Sequence, residues 1–278
     1  MATSTSTTTH RILIATDFSE ASFNAVRFAM DTFGTNDAEF ILFHAVYLAP
    51  RDPMLLGLEE KRMEKQAARK KLAAFKLKCQ GLRIAGRTNF VSIIGDGNLT
   101  DAVNAVCRRR TVHAVVLGTR GAGDAIYWGD NATQVVKHCV RPVIAVPPAW
   151  EPGPIQNILF ADDRSEVPKR KPMALLLQLA RQHKAEVTLA YVREGSMTPL
   201  EVSPLAMDAV LFKGVKRTPV SLSGDDVAKT LCKLTDGGKY AMLGVLHRDL
   251  GWLDRIFNRS VAKKLTLCTK VPLLVLHM

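Results

Sequence analysis

The stretch Ile12-Leu13-Ile14-Ala15-Thr16-Asp17-Phe18-Ser19 decides the fold, because it recurs 146 residues later as Ile158-Leu159-Phe160-Ala161-Asp162-Asp163-Arg164-Ser165. Each is a short apolar run ending in Asp, two residues before a Ser able to cap a following helix. Two further pairs occur in the same order. Val91-Ser92-Ile93-Ile94-Gly95-Asp96 matches Val220-Ser221-Leu222-Ser223-Gly224-Asp225, and Arg141-Pro142-Val143-Ile144-Ala145-Val146 matches Val271-Pro272-Leu273-Leu274-Val275-Leu276. Three ordered matches define an internal duplication. Between the copies, Val146-Pro147-Pro148-Ala149-Trp150-Glu151-Pro152-Gly153-Pro154 continues neither a helix nor a central strand and reads as a linker. The 278 residues suit two domains, 10–148 and 155–278.

Within each copy short β-branched runs alternate with helical patterns. The first copy predicts strands over 11–15, 38–46, 88–94, 113–118 and 142–147, and helices over about 19–34, 56–80, 98–110 and 130–140. Val26, Ala29, Met30 and Phe33 share one face of the first helix. The second copy predicts strands over 156–161, 186–192, 218–222, 240–246 and 272–277, with the long helix reduced to a remnant around Pro204–Lys213. Apolar strands separated by helices imply a parallel sheet covered on both faces. A reversal of strand order in such a sheet leaves a crevice at the carboxyl ends of the strands, where Asp17 and Gly118 would stand.

Composition narrows the class. Hydrophobic residues make up 47% and charged residues 23%, a globular profile. No run approaches the roughly 20 apolar residues of a membrane span, and Met1–Thr9 has neither a basic nor an apolar segment of a targeting signal. Five cysteines without a C-x-x-C pair read as buried thiols in a reducing, cytoplasmic compartment. The net charge is +12, with 19 basic and 13 acidic residues in each of 1–150 and 151–278. No basic module has therefore been appended to a neutral one. The densest basic run, Lys61–Lys78, is interleaved with Ala68, Leu72, Phe75 and Cys79 at helical spacing. It reads as a solvated helix face and not as a nucleic-acid surface, since stacking aromatics are missing from it.

After the fourth strand comes Gly118-Thr119-Arg120-Gly121-Ala122-Gly123, and then Gly129-Asp130-Asn131-Ala132-Thr133 opens a helix. Glycines allow close backbone approach to a ligand, and the free N–H groups of a helix start point at an anion. The pattern is neither G-x-x-x-x-G-K-[ST] nor G-x-G-x-x-G, and three glycines also make an ordinary loop.

The opening Ile14-Ala15-Thr16-Asp17-Phe18-Ser19, Val115-Val116-Leu117 running into Gly118-x-x-Gly121, the Gly129 helix and Pro142-Val143-Ile144-Ala145-Val146-Pro147 together resemble a universal stress protein domain. The resemblance covers nearly all of 10–148 and, more faintly, 155–278. It implies two tandem Rossmann-like α/β domains, each a five-stranded parallel sheet of order 3-2-1-4-5. It also implies ATP, with Mg²⁺, as the ligand of the first copy. Asp17 would meet the adenine or ribose, Ala45 and its neighbours His44 and Val46 would offer backbone groups to the base, and Gly118, Arg120, Gly121, Gly129, Asp130 and Asn131 would surround the phosphates. Family members pair domains through their last strands, so Val143–Val146 and Leu273–Leu276 are the expected edges of a homodimer or an intramolecular pseudo-dimer.

Two features depart from the ATP-binding pattern. Only seven residues separate Gly121 from Gly129, and Asp130 replaces a phosphate-binding Ser or Thr. A carboxylate about 4 Å from a phosphate charge costs about 4 kcal/mol at an effective dielectric near 20, which Arg120 or a divalent cation would partly offset. Asp130 reads first as a helix N-cap. The second copy puts Val245 in the position of Gly118, Arg248 in that of Gly121 and Arg259 in that of Gly129, so its glycine loop is lost. No metal-ligand spacing, nucleophile elbow or Ser beside a His emerges. The expected role is nucleotide-linked regulation in a stress response and not catalysis. A non-nucleotide-binding dimeric scaffold or chaperone-like protein is the alternative, and weak ATP hydrolysis the residual enzymatic reading.

Overall fold

The computed structural model describes residues 10–34, 38–47, 57–82, 88–119, 128–162, 170–193, 211–223, 227–247 and 269–277. Its contacts divide the chain into two compact units, Met1–Gly118 and Thr119–Met278.

The first unit runs β1 (His10–Ala15), α1 (Glu20–Phe33), β2 (Ala38–Val46), α2 (Gly57–Gln80), β3 (Asn89–Asp96), α3 (Leu99–Arg109) and β4 (Ala114–Gly118). Its strands lie in the order β3-β2-β1-β4, all parallel. Ile12, Leu13, Ile14, Ile41, Leu42, Val115 and Val116 are fully buried, as strands covered on both faces require. Val26, Ala29, Met30 and Phe33 of α1 are buried too, and so is the stripe Ala68, Leu72, Phe75 and Cys79 of α2. Helix ends follow local chemistry. The Ser19 hydroxyl accepts from Ser22 N–H at 3.2 Å, and Gly34 at φ 74° closes α1. At α3 the Asn98 side chain accepts from Asp101 N–H at 2.9 Å.

The second unit runs α4 (Trp128–His138), β5 (Val143–Val146), β6 (Asn157–Asp162), α5 (Ala174–Gln182), β7 (Glu186–Arg193), β8 (Arg217–Ser223), α6 (Val227–Asp236), β9 (Met242–His247) and β10 (Leu273–His277). Its strand order is β5-β10-β9-β6-β7-β8. Numbered from β6, the second copy is 3-2-1-4-5, the order the resemblance implies, and it is parallel throughout. β5 pairs antiparallel with β10, Ile144 opposite Leu274. The two expected edges thus cover each other within one chain, and none of Val143–Val146 or Leu273–Leu276 is more than 2% exposed.

Several expectations need correction. α4 starts at Trp128, so Asp130 lies inside the first helical turn and is not the N-cap. α5 is capped by Met173 with no side-chain hydrogen bond, so Ser165, outside the described residues, is not its cap. The Pro204–Lys213 remnant falls mostly outside the described residues, and Phe212–Gly214 form a turn.

The cysteine reading also changes. Cys79, Cys107 and Cys139 are buried and outside any disulfide, but Cys232 is disulfide-bonded, which the absence of C-x-x-C spacing did not reveal. Cys268 lies outside the described residues. Burial pushes the Cys79 thiol up to about 12, against a smaller downward pull from Lys78. At pH 8 only about one Cys79 in ten thousand is then a thiolate. Mass spectrometry after iodoacetamide treatment is expected to show Cys79 modified in urea and untouched in buffer. Native-state labelling would mean that α2 opens readily.

Candidate functional site at the carboxyl ends of β1, β2 and β4

β1 lies between β2 and β4, so α1 leads the chain away on one side while β4 returns on the other. This is the switch point of a doubly wound sheet, and the crevice at its carboxyl ends belongs wholly to the first unit. As β1 ends, Thr16 N–H donates to the Phe43 carbonyl at 2.8 Å. The buried Thr16 hydroxyl accepts from Phe18 N–H at 2.9 Å and shares a 2.8 Å bond with the Ser22 hydroxyl. One carboxylate oxygen of Asp17 accepts from both the N–H (3.1 Å) and the hydroxyl of Ser19. The same Ser19 hydroxyl accepts from the first turn of α1, so Asp17 is held by the cap it precedes.

Phe18 sits at φ 69°, a left-handed conformation that costs a non-glycine residue about 1–2 kcal/mol. What holds it there is a set of ring contacts: His44 at 4.5 Å and Phe75 at 5.9 Å between centroids. His44 Nδ1–H donates to the Thr16 carbonyl at 2.7 Å, tying the end of β2 to that of β1. Since a carbonyl only accepts, this bond fixes the proton on Nδ1. Ala45 is half-buried opposite Gly95 of β3, and the Val46 carbonyl accepts from Gly97 N–H at 3.0 Å. Asp96, which ends β3, meets Lys65 at 2.6 Å and Lys61 at 3.7 Å. The Lys65 hydrogen bond, with Lys61 adding to it, holds the Asp96 carboxyl below its ordinary value. The stabilisation is present above the ordinary carboxylate range and is lost as pH falls through the lowered value.

Gly118 has a structural reason of its own. A Cβ there would lie 2.5 Å from the Ala21 carbonyl carbon, closer still to its oxygen, and 3.0 Å from Ser22 N. The end of β4 presses on the first turn of α1, and only glycine fits.

The structure thus brings Asp17, Ala45 and Gly118 to one end of one sheet. Arg120 and Gly121 lie outside the described residues; Gly129 and Asp130 lie in the first turn of α4, and Asn131 is exposed on that helix in the second unit. Sequence reasoning passed over Thr16, Phe18 and Ser22, because no spacing signals a left-handed Phe or a buried hydroxyl pair. In the second copy, register corrects one correspondence. Ala15 pairs with Leu117 and Ala161 with Val245, so Leu246, not Val245, stands where Gly118 does. Leu246 is buried, and Asp163 and Arg248 lie outside the described residues. Among the described residues no cluster of three His, Cys, Asp or Glu could hold a metal, and no helix is long and apolar enough to cross a membrane.

These features define an α/β protein with a repeated Rossmann-like domain. A family model described as the universal stress protein family matches residues 8–147, and the chain belongs to that family. Its structure is similar to that of a universal stress protein from Archaeoglobus fulgidus DSM 4304, at TM-score 0.68 and 14% identity over 97% of this chain and 96% of that one. A chain of the same description from Pseudomonas aeruginosa UCBPP-PA14 aligns at TM-score 0.56 and 12% identity over 98% and 94%. A family protein from Arabidopsis thaliana, crystallised with AMP bound, aligns over 50% of this chain and 91% of its own, at 19% identity and TM-score 0.37. At these identities the likeness concerns the fold. No curated protein sequence matches the chain.

Proposed function

We propose that the first copy binds ATP at the carboxyl ends of β1 and β2, and that the chain acts by nucleotide-dependent binding in a stress response and not by turnover. The observation that carries this reading is the joint placement of Asp17, His44 and Ala45 at the switch point. Asp17, held by Ser19, is an acceptor for ribose hydroxyls or the adenine amine. Ala45 supplies backbone groups to the base. The segment Gly118–Asn131 receives the phosphates, with Mg²⁺ offsetting the Asp130 charge. The second copy binds no nucleotide, because a buried Leu246 occupies the place of Gly118.

Calorimetry with ATP and Mg²⁺ is expected to give about one site per chain, lost in Asp17→Ala and in Gly121→Val. Asp130→Ser is expected to tighten binding, by up to the charge penalty estimated above. No heat at millimolar ATP would overturn the proposal. The scaffold reading would then stand, and one observation already favours it: packing against Ala21 accounts for Gly118 without any ligand.

A further inference from the structure

Helix α2 has a second apolar flank beside its buried stripe. Arg69, Leu72, Ala73, Lys76, Leu77 and Gln80 face Ser92, Ile93 and Ile94 of β3 across a cavity of about 840 Å³. Successive strand residues point to opposite faces. A cavity lined by three consecutive residues therefore wraps around the strand's edge. That edge is open in the first unit: among the described residues β3 pairs with β2 alone. Leu77 is 70% exposed and Ser92 is exposed, so the cavity is a groove reachable from solvent.

Its chemistry is specific. The walls are aliphatic (Leu72, Ala73, Leu77, Ile93, Ile94), the charged groups on the lining are Arg69 and Lys76, and no carboxylate lines it. The whole helix carries eight basic residues against three acidic ones. No aromatic ring lines the groove to stack a base, which disfavours a nucleic acid. A sheet edge beside aliphatic pockets is the geometry of strand addition, in which main-chain hydrogen bonds give affinity and alternate side chains give specificity.

We propose that an extended, acidic segment of a partner protein docks in this groove. It adds as a strand to β3, places aliphatic side chains against Ala73, Leu77 and the isoleucines, and sets its carboxylates on Arg69 and Lys76. This site is separate from the nucleotide crevice and does not depend on it.

The test uses the full chain and a fluorescein-labelled decapeptide alternating Glu with Val. Saturable binding is expected, weakened at least tenfold in Arg69→Glu/Lys76→Glu and in Leu77→Lys, all exposed or half-exposed positions whose folding is checked by circular dichroism. Hydrogen exchange is expected to slow over 89–96 when the peptide is added. The proposal is overturned by no binding at 1 mM, by equal binding of a Glu-Gly peptide, or by affinity indifferent to the charge reversals. It is also overturned if the groove variants abolish binding of an oligonucleotide while the peptide shows none. Sedimentation showing a dimer that the same variants dissociate would assign the groove to a second copy and refute the partner-segment proposal.

Discussion

Gly118→Ala is expected to destabilise the protein by about 2–4 kcal/mol, a large effect for one added methyl group. Overpacking a close-packed interior typically costs about 1–3 kcal/mol even where flexible side chains give way. Here the obstacle is backbone: the new Cβ would fall 2.5 Å from the Ala21 carbonyl carbon. Relief requires α1 to move, and its first turn is pinned by the Ser19 cap and by the 2.8 Å bond between the Thr16 and Ser22 hydroxyls. Losing either costs about 1 kcal/mol more. Urea unfolding reads the loss directly. Gly153→Ala is the control, because nothing lies within 4 Å of a Cβ there, and it is expected to change stability by less than about 0.5 kcal/mol. Equal midpoints for the two variants would show that α1 is not packed on β4 as described. The result also bears on function. If Gly118→Ala loses stability and nucleotide affinity together while Asp17→Ala loses only affinity, Gly118 serves the crevice by letting α1 approach it.

What the residues disclosed and what they hid divide along physical lines. The strands were legible because a parallel sheet buried on both faces demands continuous apolar runs, as Ile12–Ala15 and Phe40–Phe43 show. The α2 stripe was legible because the helical period is visible in one sequence. Ser19 was legible as a cap because capping is local. Register was not: aligning the two fourth strands by sequence put Val245 at Gly118's position, and only the pairing of Ala161 with Val245 moves that position to Leu246. Glycine itself is ambiguous, since approach to a helix backbone and approach to a ligand leave the same residue. Nor does spacing carry the disulfide at Cys232. A Phe at φ 69° is held by rings from β2 and α2, and nothing in its own neighbours in sequence announces it.

The union of β5 with β10 leads to the second large effect. Leu274 is fully buried on a strand with β5 on one side and β9 on the other. Leu274→Asp would lose the leucine's burial and leave a carboxylate with no water, a combined cost of about 5 kcal/mol or more. That approaches the whole stability of an ordinary domain. The expected outcome is loss of the near-ultraviolet circular dichroism of the native state and rapid proteolysis. A milder series keeps the question answerable. Leu274→Ala and Ile144→Ala are each expected to cost about 2–4 kcal/mol. As directly opposed neighbours they should couple by at least about 0.5 kcal/mol in a double-mutant cycle. Pairing inside one chain makes the urea midpoint independent of protein concentration, whereas pairing between chains raises it with concentration. A concentration-dependent midpoint, or additive single variants, would refute the intramolecular pairing. Constancy together with coupling would mean that each copy's last strand is already covered by the other's. Any homodimer would then have to use a different surface.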